Sequence, residues 1–191
     1  MHRERRSPVI LGHEATGVVV KAGAEVSHVA EGDIVLLTWV PRNIEAAGRV
    51  PERAILDVSD GVAQSENVFT WADHTICDEQ YVVKVDPNIK KDVTAIIGCA
   101  VMTGAGAVIN TAKVQPGQSV VVFGVGGVGL SAVVGAKVAG ANPIIAVDLD
   151  DQKLEFAKAF GATHTINASV VDPIEAIHEL TPQKGQFTIS R

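Results

Sequence analysis

The residues with the clearest chemical meaning are glycines. Gly124, Gly126, Gly127 and Gly129 fall in the run GVGGVG, which fits the GxGxxG spacing and lies between an apolar stretch expected to be a strand and one expected to be a helix. In that setting Gly124 permits a tight turn, Gly126 lets the backbone approach a pyrophosphate, and Gly129 lets helix and strand pack closely. The unpaired N–H groups at the helix start, around Gly127 and Val128, would attract phosphate charge. A carboxylate is then needed at the end of the next strand to bind the adenosine ribose hydroxyls, and Asp148 stands there, near the twenty-residue spacing such sites use. A carboxylate at that place repels a 2′-phosphate and favours NAD over NADP. Lys153 could reach the same ribose or serve as an ordinary solvated helix lysine. Without the flanking strand, helix and acid, the same glycines would mark only a packed turn.

The elements that must position these residues follow from periodicity. From residue 12 to about 87 short β-branched runs (EATGVVVKAG, DIVLLTW, EQYVVKVD) are separated by Gly, Asp and Pro, which suggests a barrel-like β domain. Residues 41–65 lack a period and read as a loop or small excursion. From residue 92 helical character begins, and 95–113, interrupted by Gly104 and Gly106, reads as the hinge between two domains, 1–92 and 93–191. Beyond Pro116-Gly117 strand and helix alternate: strands at 119–123, 144–147 and 163–166, helices at 127–139, 151–160 and 172–180, and the start of a fourth strand at 187–189. That alternation implies a parallel sheet covered on both faces.

Composition excludes several alternatives. The chain has 191 residues, a formal charge of −6 and 22 acidic against 16 basic residues, so it lacks the concentrated Lys and Arg of a nucleic-acid binder. The short basic run at 3–6 reads as a solvated end. The apolar stretch 119–138 has the length of a membrane span but holds five glycines, which suggests a buried strand and helix instead. No secretory signal is visible, and two cysteines make no disulfide framework, which points to a reducing cytoplasm.

A second group of residues gains meaning only together. His13, Glu14 and Cys99 are each weak signals, since single histidines and cysteines are more often packing residues. Yet GHEATGVVVKAG resembles the GHE-x-x-G-x-V-x-x-x-G segment of the zinc-dependent alcohol dehydrogenases of the medium-chain dehydrogenase/reductase family. GDIVLLTWVP, DEQYVVKVD, GCAVMTGAGAV, VFGVGGVGLS and VDLDDQKLEFAKAFGAT resemble that family's later segments in the same order. The resemblance implies an α/β architecture: a partial GroES-like β-barrel catalytic domain followed by the first half of a Rossmann doubly wound sheet.

It further implies that His13 and Cys99 are ligands of one catalytic zinc, that Glu14 is a carboxylate able to approach the metal or shape its field, and that Thr103 lies near the nicotinamide. Trp39 would line the substrate pocket or fill the barrel core. The expected activity is hydride transfer between a primary or secondary alcohol and NAD, in a cytoplasmic protein that uses small-molecule alcohols or aldehydes, binds neither nucleic acid nor membrane, and is a homo-oligomer when full-length. Alternatives are a non-catalytic dinucleotide-binding module and a zinc-free relative similar to quinone reductases.

Against the family pattern, the chain is expected to be truncated at both ends. A further cysteine ligand and its neighbouring proton-relay hydroxyl would precede Met1, so the chain alone is expected to bind zinc weakly and to be inactive or incomplete. Residues 41–65 contain no cysteine, which argues against a structural zinc. Cys77 is expected to be a packing residue.

Overall fold

The computed structural model describes residues 8–42, 53–59, 61–65 and 67–181, together with the backbone of 186–189. It divides into two compact units, Met1–Cys99 and Ala100–Arg191. The division falls after Cys99 rather than after residue 92, because the turn leading to Cys99 is held on the first unit. The Thr38 hydroxyl donates to the Gly98 carbonyl at 2.8 Å.

The first unit contains β1 (Val9–Ile10), β2 (Ala15–Val18), β3 (Ile34–Leu37), β4 (Ile55–Val58), β5 (Gly61–Ser65) and β6 (Val82–Lys84), followed by the short helix α1 (Lys91–Thr94). They form two three-stranded sheets, ordered β1-β5-β4 and β2-β3-β6. β3 is the central strand of its sheet, and all four of its apolar residues are buried. Val35 and Leu37 pack with Val29 and Val82 to make the local core.

Residues 41–65 are not simply a loop. Residues 43–52 lie outside the described residues, but β4 and β5 form an antiparallel hairpin with Val58 opposite Gly61. β4 exposes residues on each face and β5 buries only the small Ala63 and the polar Ser65, so no apolar alternation advertised them. The expected strand at 79–86 also starts late, because Glu79–Tyr81 forms a 3₁₀ turn whose Gln80 N–H is capped by the Asp78 carboxylate at 3.1 Å.

The second unit contains α2 (Ala100–Gly106), continued by a π-helical turn over Ala107–Thr111, then β7 (Ser119–Phe123), α3 (Gly127–Val138), β8 (Ile144–Asp148), α4 (Asp151–Phe160), β9 (His164–Asn167), α5 (Pro173–Leu180) and β10 (Gln186–Ile189). All four strands are parallel, in the order β10-β7-β8-β9. Alternate side chains of β7 and β8 serve two cores. Val120, Val122, Ile144 and Ala146 meet Val133 and Ala136 of α3 and Leu154 and Ala157 of α4. On the opposite face Val121, Ile145 and Val147 meet Ile166 of β9 and Ile177 of α5. Burial on both faces is why these strands read as continuous apolar runs. The stretch 119–138 is thus a buried strand and a partly buried helix, and among the described residues no single helix is long and apolar enough to cross a membrane.

The strand order reverses between β7 and β10. In open α/β sheets ligands bind outside the C-terminal ends of the strands at such a reversal. The GVGGVG run begins immediately after β7, at that point.

Candidate functional site

In the first unit, Gly12 links β1 to β2 with φ +100°, and a Cβ there would come within 2.7 Å of the Trp71 backbone nitrogen. Only glycine takes this turn without strain. The Leu11 carbonyl accepts from the N–H groups of Thr70 at 3.2 Å and Trp71 at 3.0 Å, which fixes the turn from the other side. His13 and Glu14 follow directly. Cys99 arrives from the far end of the unit, after a 3₁₀ turn over Ala95–Gly98.

These three residues converge. One ligand atom from each of His13, Glu14 and Cys99 lies within 4.8 Å of the others, with His13 exposed and Glu14 and Cys99 half-buried. A thiolate, an imidazole and a carboxylate separated by distances of this order form a donor set suited to a four-coordinate zinc ion. His13 and Cys99 also line an open cavity of about 400 Å³ whose walls include Ile10, Leu11, Trp39 and Val68, with Asn67 contributing a polar group. Trp39 is 48% exposed, so it is a wall of this cavity rather than a core residue.

Asn67 and Val68 carry no local sequence signal. They are brought here because β5 runs parallel to β1, with Ser65 opposite Ile10, so that the residues after β5 continue alongside those after β1. Ile10 and Leu11 precede the stretch that reads as β structure, and their one sequence signal is their place next to the GHE run.

The two cysteines differ chemically. Cys77 packs against the core of the β2-β3-β6 sheet, and burial, helped by the neighbouring Asp78 charge, pushes its thiol up to about 11. At pH 8 only about one Cys77 in a thousand would be thiolate, and the thiolate is the nucleophile. Iodoacetamide at pH 8 should therefore label Cys99 and spare Cys77, as read by peptide mass mapping. Equal labelling of both would contradict this assignment.

In the second unit the N-cap residue of α3 is Gly126, which provides no side-chain cap, whereas Asp150 caps α4 and Asp172 caps α5. A Cβ at Gly126 would meet no atom within 4 Å, so the backbone there is open to an approaching group. Uncapped N–H groups at a helix start suit a pyrophosphate. At Gly129, by contrast, a Cβ would run into the Gly124 carbonyl.

Asp148 closes β8. Its Oδ2 accepts from the Val125 N–H at 2.9 Å, and its Oδ1 from the N–H groups of Leu149 at 2.8 Å and Asp150 at 3.2 Å. Lys153 Nζ stands 3.9 Å from Oδ1 and is half exposed. Burial alone would raise the Asp148 carboxyl, but the three backbone donors and the Lys153 charge together hold it below the usual carboxylate range. A lowered folded-state pKa means that the native chain binds fewer protons than the unfolded one through this range. The contribution of Asp148 to stability is then complete above about pH 4 and is lost as pH falls further. The difference in Tm between the native chain and Asp148→Asn should accordingly be flat from about pH 8 to pH 5 and shrink below about pH 4.

Thr103 lies exposed on α2, in the second unit. Asn167, which was not singled out in the sequence, donates its amide to the Asp151 carboxylate at 2.7 Å and so ties the end of β9 to the start of α4, beside Asp148. Its only sequence signal is its place at a strand end.

Comparison with known proteins places both units. Residues 1–87 match the family model described as alcohol dehydrogenase GroES-like domain, and residues 127–190 match that of zinc-binding dehydrogenase. The chain is 38% identical to the class-3 alcohol dehydrogenase of Cereibacter sphaeroides, over 94% of its own length and 54% of that protein. Among solved structures, an alcohol dehydrogenase zinc-binding domain protein from Burkholderia ambifaria superposes with a TM-score of 0.83 at 33% identity, covering 96% of this chain and 55% of that one. The benzyl alcohol dehydrogenase of Acinetobacter calcoaceticus gives 0.83 and 33%, covering 98% and 56%. The chain thus spans about half the length of the relatives it matches.

Proposed function

The chain belongs to the zinc-dependent alcohol dehydrogenases of the medium-chain dehydrogenase/reductase family, and on that premise we propose that it supplies the metal half-site and the adenosine half-site of an NAD-linked enzyme interconverting a primary or secondary alcohol with its aldehyde or ketone. The observation that carries this reading is the convergence of His13, Glu14 and Cys99, two of which, His13 and Cys99, line one apolar cavity.

Zinc bound there supplies Lewis-acid polarisation of the substrate oxygen, and bound NAD supplies the hydride acceptor. Cys99 and His13 would hold the metal, and Glu14 would complete the donor set or shape its field. Ile10, Leu11, Trp39 and Val68 exclude water from the reacting carbon and favour a substrate with an apolar substituent over a polyol. The start of α3 binds the pyrophosphate, Asp148 orients the adenosine ribose and excludes a 2′-phosphate, Lys153 supports that ribose, and Thr103 borders the nicotinamide. A single zinc site per chain, without a structural zinc, matches the absence of cysteine from residues 41–65. We place the protein in the cytoplasm as a homo-oligomer when full-length, with no nucleic-acid or membrane partner.

The test is NADH production from aliphatic and aromatic alcohols by the full-length protein, with and without zinc. Zinc-dependent, NAD-dependent turnover is expected. Turnover without NAD would overturn the proposal, and ADP-ribose binding with no turnover under any metal condition would replace it with a dinucleotide-binding module.

A further inference from the structure

Thr38 does not belong to the donor set or the cavity wall, yet it touches the backbone of both. It follows β3 and is buried, the residue being 6% exposed. Its own N–H donates to the Tyr81 carbonyl at 3.0 Å, which fixes its backbone against the segment leading into β6. Its hydroxyl makes two hydrogen bonds. It donates to the Gly98 carbonyl at 2.8 Å and accepts from the Val40 N–H at 3.1 Å.

Each bond acts on a neighbour with a role in the proposed site. The Gly98 carbonyl belongs to the planar peptide unit that ends at the Cys99 nitrogen, so holding that oxygen fixes the plane from which the Cys99 side chain departs. Gly98 lies so close to β3 that a Cβ there would run into the Leu37 carbonyl. The Val40 bond closes a turn over Trp39, fixing the backbone of the aromatic cavity wall. One hydroxyl thereby sets the relative position of a ligand segment and a substrate-wall segment that are far apart in the chain.

We propose that Thr38 is a positioning residue of the metal centre, holding the Cys99 thiolate at the distance from His13 and Glu14 that metal binding requires. The inference rests on the metal-site reading given above. Groups that orient ligands from behind cost roughly 10- to 100-fold in metal affinity when removed.

The experiment uses the intact chain loaded with Co²⁺ in place of Zn²⁺. Metal affinity is measured by competition with a chromophoric chelator, and the thiolate-to-cobalt charge-transfer absorption is recorded beside it. Thr38→Val removes the hydroxyl while keeping its volume, and should weaken Co²⁺ and Zn²⁺ binding by about 10- to 100-fold and diminish the charge-transfer band. Thr38→Ser retains the hydroxyl and should stay within about threefold of the native chain with the band intact, a rescue that a mere packing role would not give. Thr38→Ala carries the same comparison if Thr38→Val does not fold. Native-like affinity and band in the folded hydroxyl-free variant, or a Ser variant as impaired as Val, overturns the proposal while the metal site stands. A native chain that binds no Co²⁺, or binds it equally well after Cys99→Ser, overturns the metal-site reading and the proposal with it.

Discussion

Replacing Gly129 with alanine is expected to abolish useful dinucleotide binding. A Cβ at this position would overlap the Gly124 carbonyl oxygen, lie 2.9 Å from the Gly124 carbonyl carbon and sit 3.5 Å from Val122 Cγ1. The first two obstacles are backbone, so no rotamer change relieves them, and the turn between β7 and α3 must open instead. Overpacking of a close-packed site costs about 1–3 kcal/mol even where side chains can adjust. At about 1.4 kcal/mol per tenfold in affinity, the strain corresponds to roughly 5- to 140-fold if it falls on the bound geometry. Opening the turn also moves the N–H groups that would face the pyrophosphate, which places the expected rise in Kd for ADP-ribose at the upper end of that range. Titration calorimetry with ADP-ribose, alongside a thermal melt, checks this. An alanine variant that binds as the native chain does would show that helix and strand can part here without consequence.

The second large effect concerns the donor set. Cys99→Ser should reduce Zn²⁺ affinity by more than about 100-fold, beyond the range that outer groups produce, because a serine hydroxyl does not ionise to replace a thiolate at neutral pH. His13→Ala should act alike. Since the two side chains serve one ion, their effects should not add: once either is lost, removing the other changes zinc affinity little. Metal content after gel filtration gives the affinity order, and the double variant supplies the coupling. Independent, additive losses would place His13 and Cys99 in separate roles.

How much of this was legible in the chain depends on how local the determinants are. The second unit was readable almost to the residue, because β7 and β8 are buried on both faces, α4 and α5 announce themselves through Asp150 and Asp172 caps and through Gly161, and GVGGVG with Asp148 forms one βαβ unit. The first unit was readable in outline only. β4 exposes side chains on both faces and β5 buries only the small Ala63 and the polar Ser65, so neither carries an apolar period. His13 and Cys99 are weak signals one at a time, and their convergence depends on Gly12 turning the chain and on Gly98 lying against β3. Asn67 and Val68 reach the cavity through the parallel pairing of β1 with β5, a contact that no window of sequence contains. Thr38 was hidden for the same reason, as its partner Gly98 is distant in the chain.

The strand order of the second unit bears on how the chain folds. β7 pairs with β8 and β8 with β9, each across a single helix, whereas β10 must return past α3, β8, α4, β9 and α5 to pair with β7. Closing that longer loop costs more chain entropy, and contacts of long sequence separation form slowly. The three-strand core can therefore assemble early, with the fourth strand docking onto it late. The reversal point beside the glycine-rich turn exists only after that docking, so the crevice proposed for the dinucleotide would be the last part of the sheet to mature.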